Sequence, residues 1–227
     1  FFIKIQIPGY PCPAAVDRIE AMRVAAHLQI PLIEIDLSKE YQEEVFKNAV
    51  SEFAHGRTPN PDTLCNQKIK FGAFYDFAMK NGADFVATGH YAQVKDGHLI
   101  AGVDPEKDQS YFLWMVPQDY LRKTLFPVGN IYKRDVRTLA EKFELPNASR
   151  KDSQGLCFLG DISLDDMLTR ELAPKPGKVL SVSGEIIGEH TGAPFYTLGE
   201  RHGFTLFSTT PDMQPHFVVA KDMEQNT

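Results

Sequence analysis

Cys65 is the residue of this chain whose type and setting best suit covalent chemistry. Pro59 and Pro61 fix the backbone just before it and predict a stiff surface loop. Apolar residues then recur at helical spacing, which places Cys65 in the first turn of a helix. Backbone N–H groups, the helix dipole and Lys68 would favour a thiolate there, so we expect a lowered pKa for this thiol. Asp62, one turn away, supplies a carboxylate that could move a proton.

An isolated cysteine is more often a small buried residue than a nucleophile, and this alternative stays open for Cys65. We favour the catalytic role because the helix start, rather than an apolar face, is its predicted position. Asp62 or Thr63 would cap the helix, and Asn81-Gly82 would end it after about 18 residues.

The elements around this helix predict an α/β fold. Apolar patterns indicate strands at 1–7, 32–37 and 84–90 and helices at 14–28 and 41–53. Alternating strands and helices are typical of a parallel sheet, whose ligands bind beyond the carboxyl ends of the strands. Gly89 and His90 stand at the carboxyl end of the strand at 84–90 and are therefore candidates for substrate contact.

A basic segment follows a hairpin predicted at 91–101, with its turn at Asp96-Gly97, and a short helix at 111–115. Between residues 121 and 151, eight basic and three acidic side chains give a net charge of +5, in a chain of net charge −6. A helix at about 133–143 would bury its apolar positions, Val136, Leu139, Ala140 and Phe143. A solvated face and a phosphate-binding surface are about equally supported.

The composition sets outer limits on function. The acidic balance argues against a protein whose whole surface coats nucleic acid. Three cysteines in 227 residues indicate a reducing, cytoplasmic setting, and their spacing does not suit zinc. No apolar run is long enough to span a membrane and no signal peptide is evident, so we expect no membrane partner.

Beyond Pro174, short alternating segments with glycine turns predict a small antiparallel β unit.

Short motifs stand at residues 57–65 (RTPNPDTLC), 87–91 (ATGHY), 107–111 (KDQSY), 126–129 (FPVG) and 152–158 (DSQGLCF). In this order they resemble the tRNA-specific 2-thiouridylase family, MnmA/TrmU. The resemblance covers about residues 10–205, and the set is specific although each motif alone is weak.

The resemblance implies two domains. Residues 1–160 would form a parallel-sheet domain of the nucleotide alpha-hydrolase-like (PP-loop ATPase) type, truncated at its N-terminus. Its basic helical segment, about 117–150, would bind tRNA. Residues 161–227 would form a linker helix and a small, incomplete antiparallel β-barrel-type domain.

The resemblance also implies an ATP-dependent sulfurtransferase that makes 2-thiouridine at the wobble position of tRNA. Cys65 would be the nucleophile, Cys157 the persulfide-bearing cysteine that later pairs with it, and Asp62 a proton carrier. Residues assigned to tRNA are Asn60, Pro61, Asp62, His90, Lys107, Asp108 and Gln109, and Gly89 would contact ATP. ATP with Mg²⁺ and a persulfide donor protein are the implied cofactor and partner, with no tightly bound metal.

The family's phosphate-binding run, Ser-Gly-Gly-x-Asp-Ser, does not occur in these 227 residues. The alternative is therefore a catalytically inactive tRNA-binding fragment of such an enzyme. A cysteine hydrolase that uses Cys65 with His90 is a weaker alternative, because no oxyanion-hole motif accompanies the pair.

Overall fold

The computed structural model describes residues 14–151, 164–208 and 214–227. The strand predicted at 1–7, Cys12 and the segment that carries Cys157 lie outside the described residues. The described chain divides into two compact units, one comprising 14–46 and 61–151, the other 47–60, 164–208 and 214–227.

The first unit carries most of the helices. They are α1 (Ala14–His27), α2 (Ser38–Tyr41), α4 (Pro61–Cys65), α5 (Tyr75–Lys80), α6 (Gln118–Leu121) and α7 (Lys133–Lys142). Wider π-helical turns follow α2 at Gln42–Phe46 and α4 at Asn66–Phe74. The predictions of helices at 14–28, 41–53 and after Pro61 are confirmed, with α3 (Lys47–Ala54) completing the second of them in the other unit. At Asn81-Gly82 the chain leaves α5 as predicted, with Gly82 at a φ of 87°.

A parallel strand pair is present, but it is much shorter than predicted. β1 (Val86–Ala87) pairs with β4 (Thr124–Leu125), and Thr88 N–H extends the ladder by donating to the Leu125 carbonyl. The strand predicted at 32–37 is reduced to a single β-bridge residue, Asp36, and residues 31–35 are irregular and largely exposed.

The predicted hairpin is confirmed in position. β2 (Ala92–Lys95) pairs with β3 (His98–Ala101), and the two turn residues Asp96 and Gly97 both have positive φ. A two-residue turn of this kind matches the twist of the flanking strands. The short helix predicted at 111–115 is a 3₁₀ turn at Ser110–Phe112 instead.

The hairpin packs into the core of the first unit. Its buried cluster consists of Phe71, Ala92, Leu113, Val116, Leu121 and Phe126. Gly129 lies so close to the Ala92 carbonyl that an added Cβ would stand 1.6 Å from that oxygen, so no larger residue fits. The predicted burial of α7 is wrong in degree, because Val136, Leu139 and Ala140 are half-buried and Phe143 is exposed.

Asp104 connects the basic helix to the chain after the hairpin. Its carboxylate accepts the backbone N–H of Lys133, the first residue of α7, at 2.9 Å, and also that of Glu106 at 3.2 Å. The first N–H groups of a helix have no partner within it, so this distant carboxylate acts as a cap. Lys133 also holds its ammonium 5.3 Å from the centre of the Tyr91 ring.

The second unit contains a three-stranded antiparallel sheet in the order β5 (Gly177–Leu180), β6 (Ile186–His190), β7 (Thr205–Leu206). This confirms the predicted antiparallel β unit. α3 and α8 (Leu164–Glu171) both contact the 3₁₀ turn Ala193–Phe195. Tyr196 is buried beside this turn and donates its hydroxyl to the Gly203 carbonyl at 2.6 Å. Within the described ranges, no helix is long and apolar enough to cross a membrane.

Replacing Asp104 with alanine should lower the free energy of unfolding by about 1–2 kcal/mol, because the Lys133 N–H loses its cap. Urea denaturation monitored by circular dichroism would measure the change. Asp119→Ala is the matched control, since this carboxylate is 96% exposed and lies 3.8 Å from Arg122. The control should shift stability by less than about 0.5 kcal/mol. Equal stability of the two variants would contradict the capping role.

Candidate active site

Cys65 lies deeper in the protein than its predicted position at a helix start. α4 begins at Pro61, whose fixed φ and missing N–H suit the first helical position. Asp62 and Thr63 are therefore inside the helix, and their predicted capping role is wrong. Cys65 is the last residue of α4 and is 0% exposed, with Ile69 buried one turn later. Reaction at this thiol therefore requires the surroundings to move.

Asn66 ties the turn after Cys65 to another part of the first unit. Its side-chain amide donates to the Phe112 carbonyl at 3.0 Å, across 46 positions of sequence. The side chain is 2% exposed, and its Oδ1 atom has no hydrogen-bond partner among the described residues. A buried unpaired acceptor costs about 1–3 kcal/mol, so this amide is not optimised for stability alone.

His90 is buried at the end of β1, and its ring is held from several sides. Lys70 Nζ lies 3.4 Å from Nε2, and the Thr88 hydroxyl lies 2.7 Å from Nδ1. Because an ammonium can only donate, Nε2 accepts and Nδ1–H donates to Thr88. The rings of Phe71 and Phe126 pack 5.9 and 6.1 Å away, centre to centre. Both ring nitrogens are thus engaged, which argues against a cysteine–histidine hydrolase dyad.

Burial and the charge of Lys70 lower the pKa of His90 from 6.5 to about 3. The imidazole is therefore neutral at neutral pH. The ring supports the strand end, and a direct tRNA contact by His90 stays a prediction.

Gly89 precedes this histidine and is exposed. An added Cβ would meet no atom within 4 Å, so the backbone here is open to a ligand. This openness is compatible with the predicted ATP contact.

The Lys107–Gln109 segment is fixed by hydrogen bonds to neighbouring backbone. Asp108 accepts the Gly102 N–H at 2.7 Å and the Ser110 hydroxyl at 2.8 Å. Burial alone would raise the pKa of the Asp108 carboxyl, but these donors outweigh it and lower that pKa below its usual value. Gln109 donates its backbone N–H to the Tyr91 carbonyl at 2.8 Å, and its Oε1 accepts the Tyr91 N–H at 3.0 Å.

The structure therefore separates the predicted tRNA residues by exposure. Lys107 and Asn60 are exposed, whereas Pro61, Asp62, Asp108 and Gln109 are half-buried. We expect Asp108 and Gln109 to shape the loop and Lys107 to face a ligand.

Sequence reasoning missed several residues of this region. Asn66, Lys70 and Asp104 act through contacts with distant segments, which sequence spacing does not reveal. Tyr111 and Trp114 are exposed aromatic residues just after the loop, and Trp114 is 70% exposed. Large aromatic residues directly after a charged loop are the sequence feature that could have indicated a binding surface here. Within the part of the chain that the structure describes, no three His, Cys, Asp or Glu side chains group closely enough to hold a metal ion.

The buried neutral His90 should make stability depend on pH. Its pKa is lower in the folded state, so the unfolded chain takes up this proton first, and stability is lost as pH falls from 6.5 towards 3. Between pH 7 and pH 5 the wild type should lose about 2 kcal/mol more than His90→Gln, whose side chain does not titrate. Urea unfolding of both proteins at each pH measures this difference. Parallel losses in the two proteins would refute the assignment.

Comparison with known proteins identifies both parts of the chain. Residues 4–161 match the model of the "tRNA methyl transferase HUP domain" family, and residues 165–227 match that of the "tRNA methyl transferase PRC-barrel domain" family. The first match covers well over half of the chain and agrees with the predicted nucleotide-binding α/β class.

Curated relatives named tRNA-specific 2-thiouridylase MnmA match along most of the chain. The protein of Nitrosomonas eutropha is 46% identical over 220 residues, which are 95% of this chain and 61% of the relative. Those of Streptococcus uberis and a Listeria monocytogenes serotype 4a strain are 45% and 44% identical, over 95% of this chain and 59% and 58% of their own lengths. The chain thus spans about 60% of the length of these relatives. It belongs to the MnmA family of tRNA-specific 2-thiouridylases.

Proposed function

We propose that this chain takes part in ATP-dependent 2-thiolation of the wobble uridine of tRNA. The observation that carries the proposal is the position of Cys65, enclosed at the end of α4 and joined through Asn66 to the turn that follows Lys107–Gln109. The candidate nucleophile and a candidate RNA-binding loop are thereby linked within one compact unit.

Sulfur transfer would use two cysteines. The terminal sulfur of a persulfide on Cys157 attacks C2 of the activated uracil, and the activated oxygen leaves with AMP. The Cys65 thiolate then attacks the inner sulfur of Cys157, which breaks the S–S bond and leaves sulfur on C2. The product is a Cys65–Cys157 disulfide, which an external dithiol must reduce by two electrons before the next turnover. Asp62, half-buried in α4, would carry the proton from Cys65.

ATP supplies the leaving group, because the oxygen at C2 of uracil leaves poorly by itself. The exposed, open backbone at Gly89 fits a nucleotide at the carboxyl end of β1. Mg²⁺ would accompany the phosphates of ATP.

The surface of the first unit suits an RNA loop. Arg134 projects from α7 with its side chain 81% exposed; its Nε lies 3.5 Å from the Asp135 carboxylate, and its guanidinium lies 5.3 Å from the centre of the Tyr132 ring. Arg122, Lys123 and Lys142 are also exposed. Positive charges bind phosphates, and exposed rings such as Trp114 stack on unpaired bases. A wobble base has to leave its stack to be modified, which favours such a surface.

A second candidate function is the tRNA-binding role without catalysis that the sequence analysis left open. It is supported by the same exposed charges and rings, Arg134, Lys142 and Trp114 among them. This alternative makes the same RNA contacts and differs only in chemistry.

Incubating the purified chain with tRNA, ATP, Mg²⁺ and a persulfide donor protein should produce 2-thiouridine in nuclease digests of the tRNA, detected by mass spectrometry. Cys65→Ser and Cys157→Ser should each abolish the product, because serine forms neither persulfide nor disulfide. Both variants should bind tRNA within about threefold of wild type, since neither loses a positive charge. Product from either variant would contradict its assigned role. Bound but unmodified tRNA with the wild type would favour the binding fragment.

Arg134→Gln should weaken tRNA binding and lower the slope of log affinity against log salt by about one unit. Arg137 is unsuitable for this test, because it donates to the Ala148 carbonyl at 2.9 Å and supports the chain after α7. Arg23→Gln in α1 removes the same charge from a side chain that pairs with Glu20 at 2.7 Å and serves as the control. If all three proteins show the same salt slope, the basic side chains of α7 do not contact phosphates and form a solvated surface only.

A further inference from the structure

We infer that Asn66 is a positioning residue which couples RNA contact at the Lys107–Gln109 loop to exposure of the Cys65 thiol. The inference rests on the proposed function, because it assumes that the loop meets tRNA. It goes further by assigning a role to a residue outside the predicted site and by giving a route between recognition and chemistry.

The first step of the route lies inside the loop. Gln109 is bound in both directions to the backbone of Tyr91, and its own carbonyl accepts the Phe112 N–H at 3.0 Å. Asp108 holds Ser110 through both its hydroxyl and its backbone N–H. The segment from Asp108 to Phe112 is therefore one hydrogen-bonded piece that is anchored to Tyr91. Lys107 is joined to its start, so a ligand held by Lys107 pulls on this piece and, through it, on the Phe112 carbonyl.

The second step is the hydrogen bond from Asn66 to that carbonyl. It crosses between segments 46 positions apart, and both its atoms lie in a part-buried setting where water competes poorly. Asn66 follows Cys65 directly, at the point where the α-helical pattern gives way to a π turn. When Phe112 moves, the hydrogen bond pulls on Asn66, and the backbone next to the Cys65 thiol moves with it.

Two observations indicate that this junction is built to move. The segment Asn66–Phe74 is not regular, because Phe71 and Gly72 have non-helical backbone angles. Turns of the π type are rare and frequent at functional sites. Among the described residues the Oδ1 of Asn66 also has no hydrogen-bond partner, so the resting arrangement of this buried amide is less stable than a fully paired one.

A motion is required by the burial of Cys65. Its side chain is 0% exposed, and neither a uracil nor a persulfide can be reached from a fully enclosed thiol. Coupling the opening to RNA contact would keep the thiol covered until the substrate has arrived.

The test measures how RNA changes the alkylation rate of Cys65. The probe is an anticodon stem–loop RNA with an abasic wobble nucleotide, so that no base can cover the thiol, and the reagent is iodoacetamide. Trypsin releases residues 58–68 as a peptide whose only cysteine is Cys65, so mass spectrometry follows this thiol alone. RNA affinity of each protein is measured in parallel by fluorescence anisotropy.

In wild type the RNA should raise the Cys65 alkylation rate by about fivefold or more, and in Asn66→Leu by less than twofold, with RNA affinities within threefold. Leucine keeps the volume and removes the donor. Asn81→Ala is the matched control, because Asn81 donates its amide to the Phe77 carbonyl at 2.8 Å from an exposed position after α5. This control should respond like wild type. If Asn66→Leu does not fold, Asn66→Ala takes its place.

An equal response of wild type and the Asn66 variants would overturn the inference, as would an RNA that binds wild type without raising the rate. Either result leaves the proposed function intact if 2-thiouridine still forms. Failure of wild type to bind the RNA at all would instead overturn the proposed function, and the coupling with it.

Discussion

The first unit depends on the satisfaction of backbone N–H groups by side chains of a single loop. Asp104 reaches the start of α7, Asp108 holds the end of the hairpin at Gly102, and Gln109 holds Tyr91 after β1. The parallel pair β1–β4 has only two residues in each strand, so a sheet ladder alone could not hold these elements in place. Buried backbone groups must find partners, and here the loop provides them. The basic helix, the hairpin and the open backbone at Gly89 take their positions from it.

The chemistry of the unit follows from enclosure. The thiol of Cys65 and the ring of His90 are both buried, and each is close to a lysine in sequence or in space. Burial keeps the His90 imidazole neutral, and its two ring nitrogens are used in contacts with Lys70 and Thr88. It also keeps Cys65 from unspecific oxidation, because thiol oxidation depends on exposure. Exposed residues have the opposite role in the proposed function, since Arg134 and Trp114 lie at the surface, where a polyanion with unpaired bases would meet them.

Local patterns were predictable from the sequence, and distant ones were not. The turn at Asp96-Gly97, α1 and the alternation of β5 and β6 follow from residues close to each other, and their predictions are confirmed. The strand expected at 32–37 is reduced to one bridge residue, Asp36, because strand pairing depends on segments that lie far away in sequence. The cap of α4 was misplaced because Pro61 takes the first helical position, and Phe143 is exposed although its spacing suited a buried face. The contacts of Asp104, Asn66 and His90 join residues far apart in sequence, so only the folded chain reveals them. The family and the short motifs were recognisable from residue types and order, whereas the part played by each side chain depends on burial.

The π turn between Asn66 and Phe74 has a consequence for how this region can vary. The backbone kinks at Phe71 and Gly72 inside this segment, and the side chains of Cys65, Ile69, Phe71 and Tyr75 are buried along it. Each residue of a helix advances its face by about 100°, so a deletion between Cys65 and Phe71 would turn the buried side chains between the deletion and the kink away from the core. Many substitutions leave the length of the segment unchanged and keep the phase between the thiol and α5. We therefore expect this stretch to accept changes of side chain far more readily than changes of length.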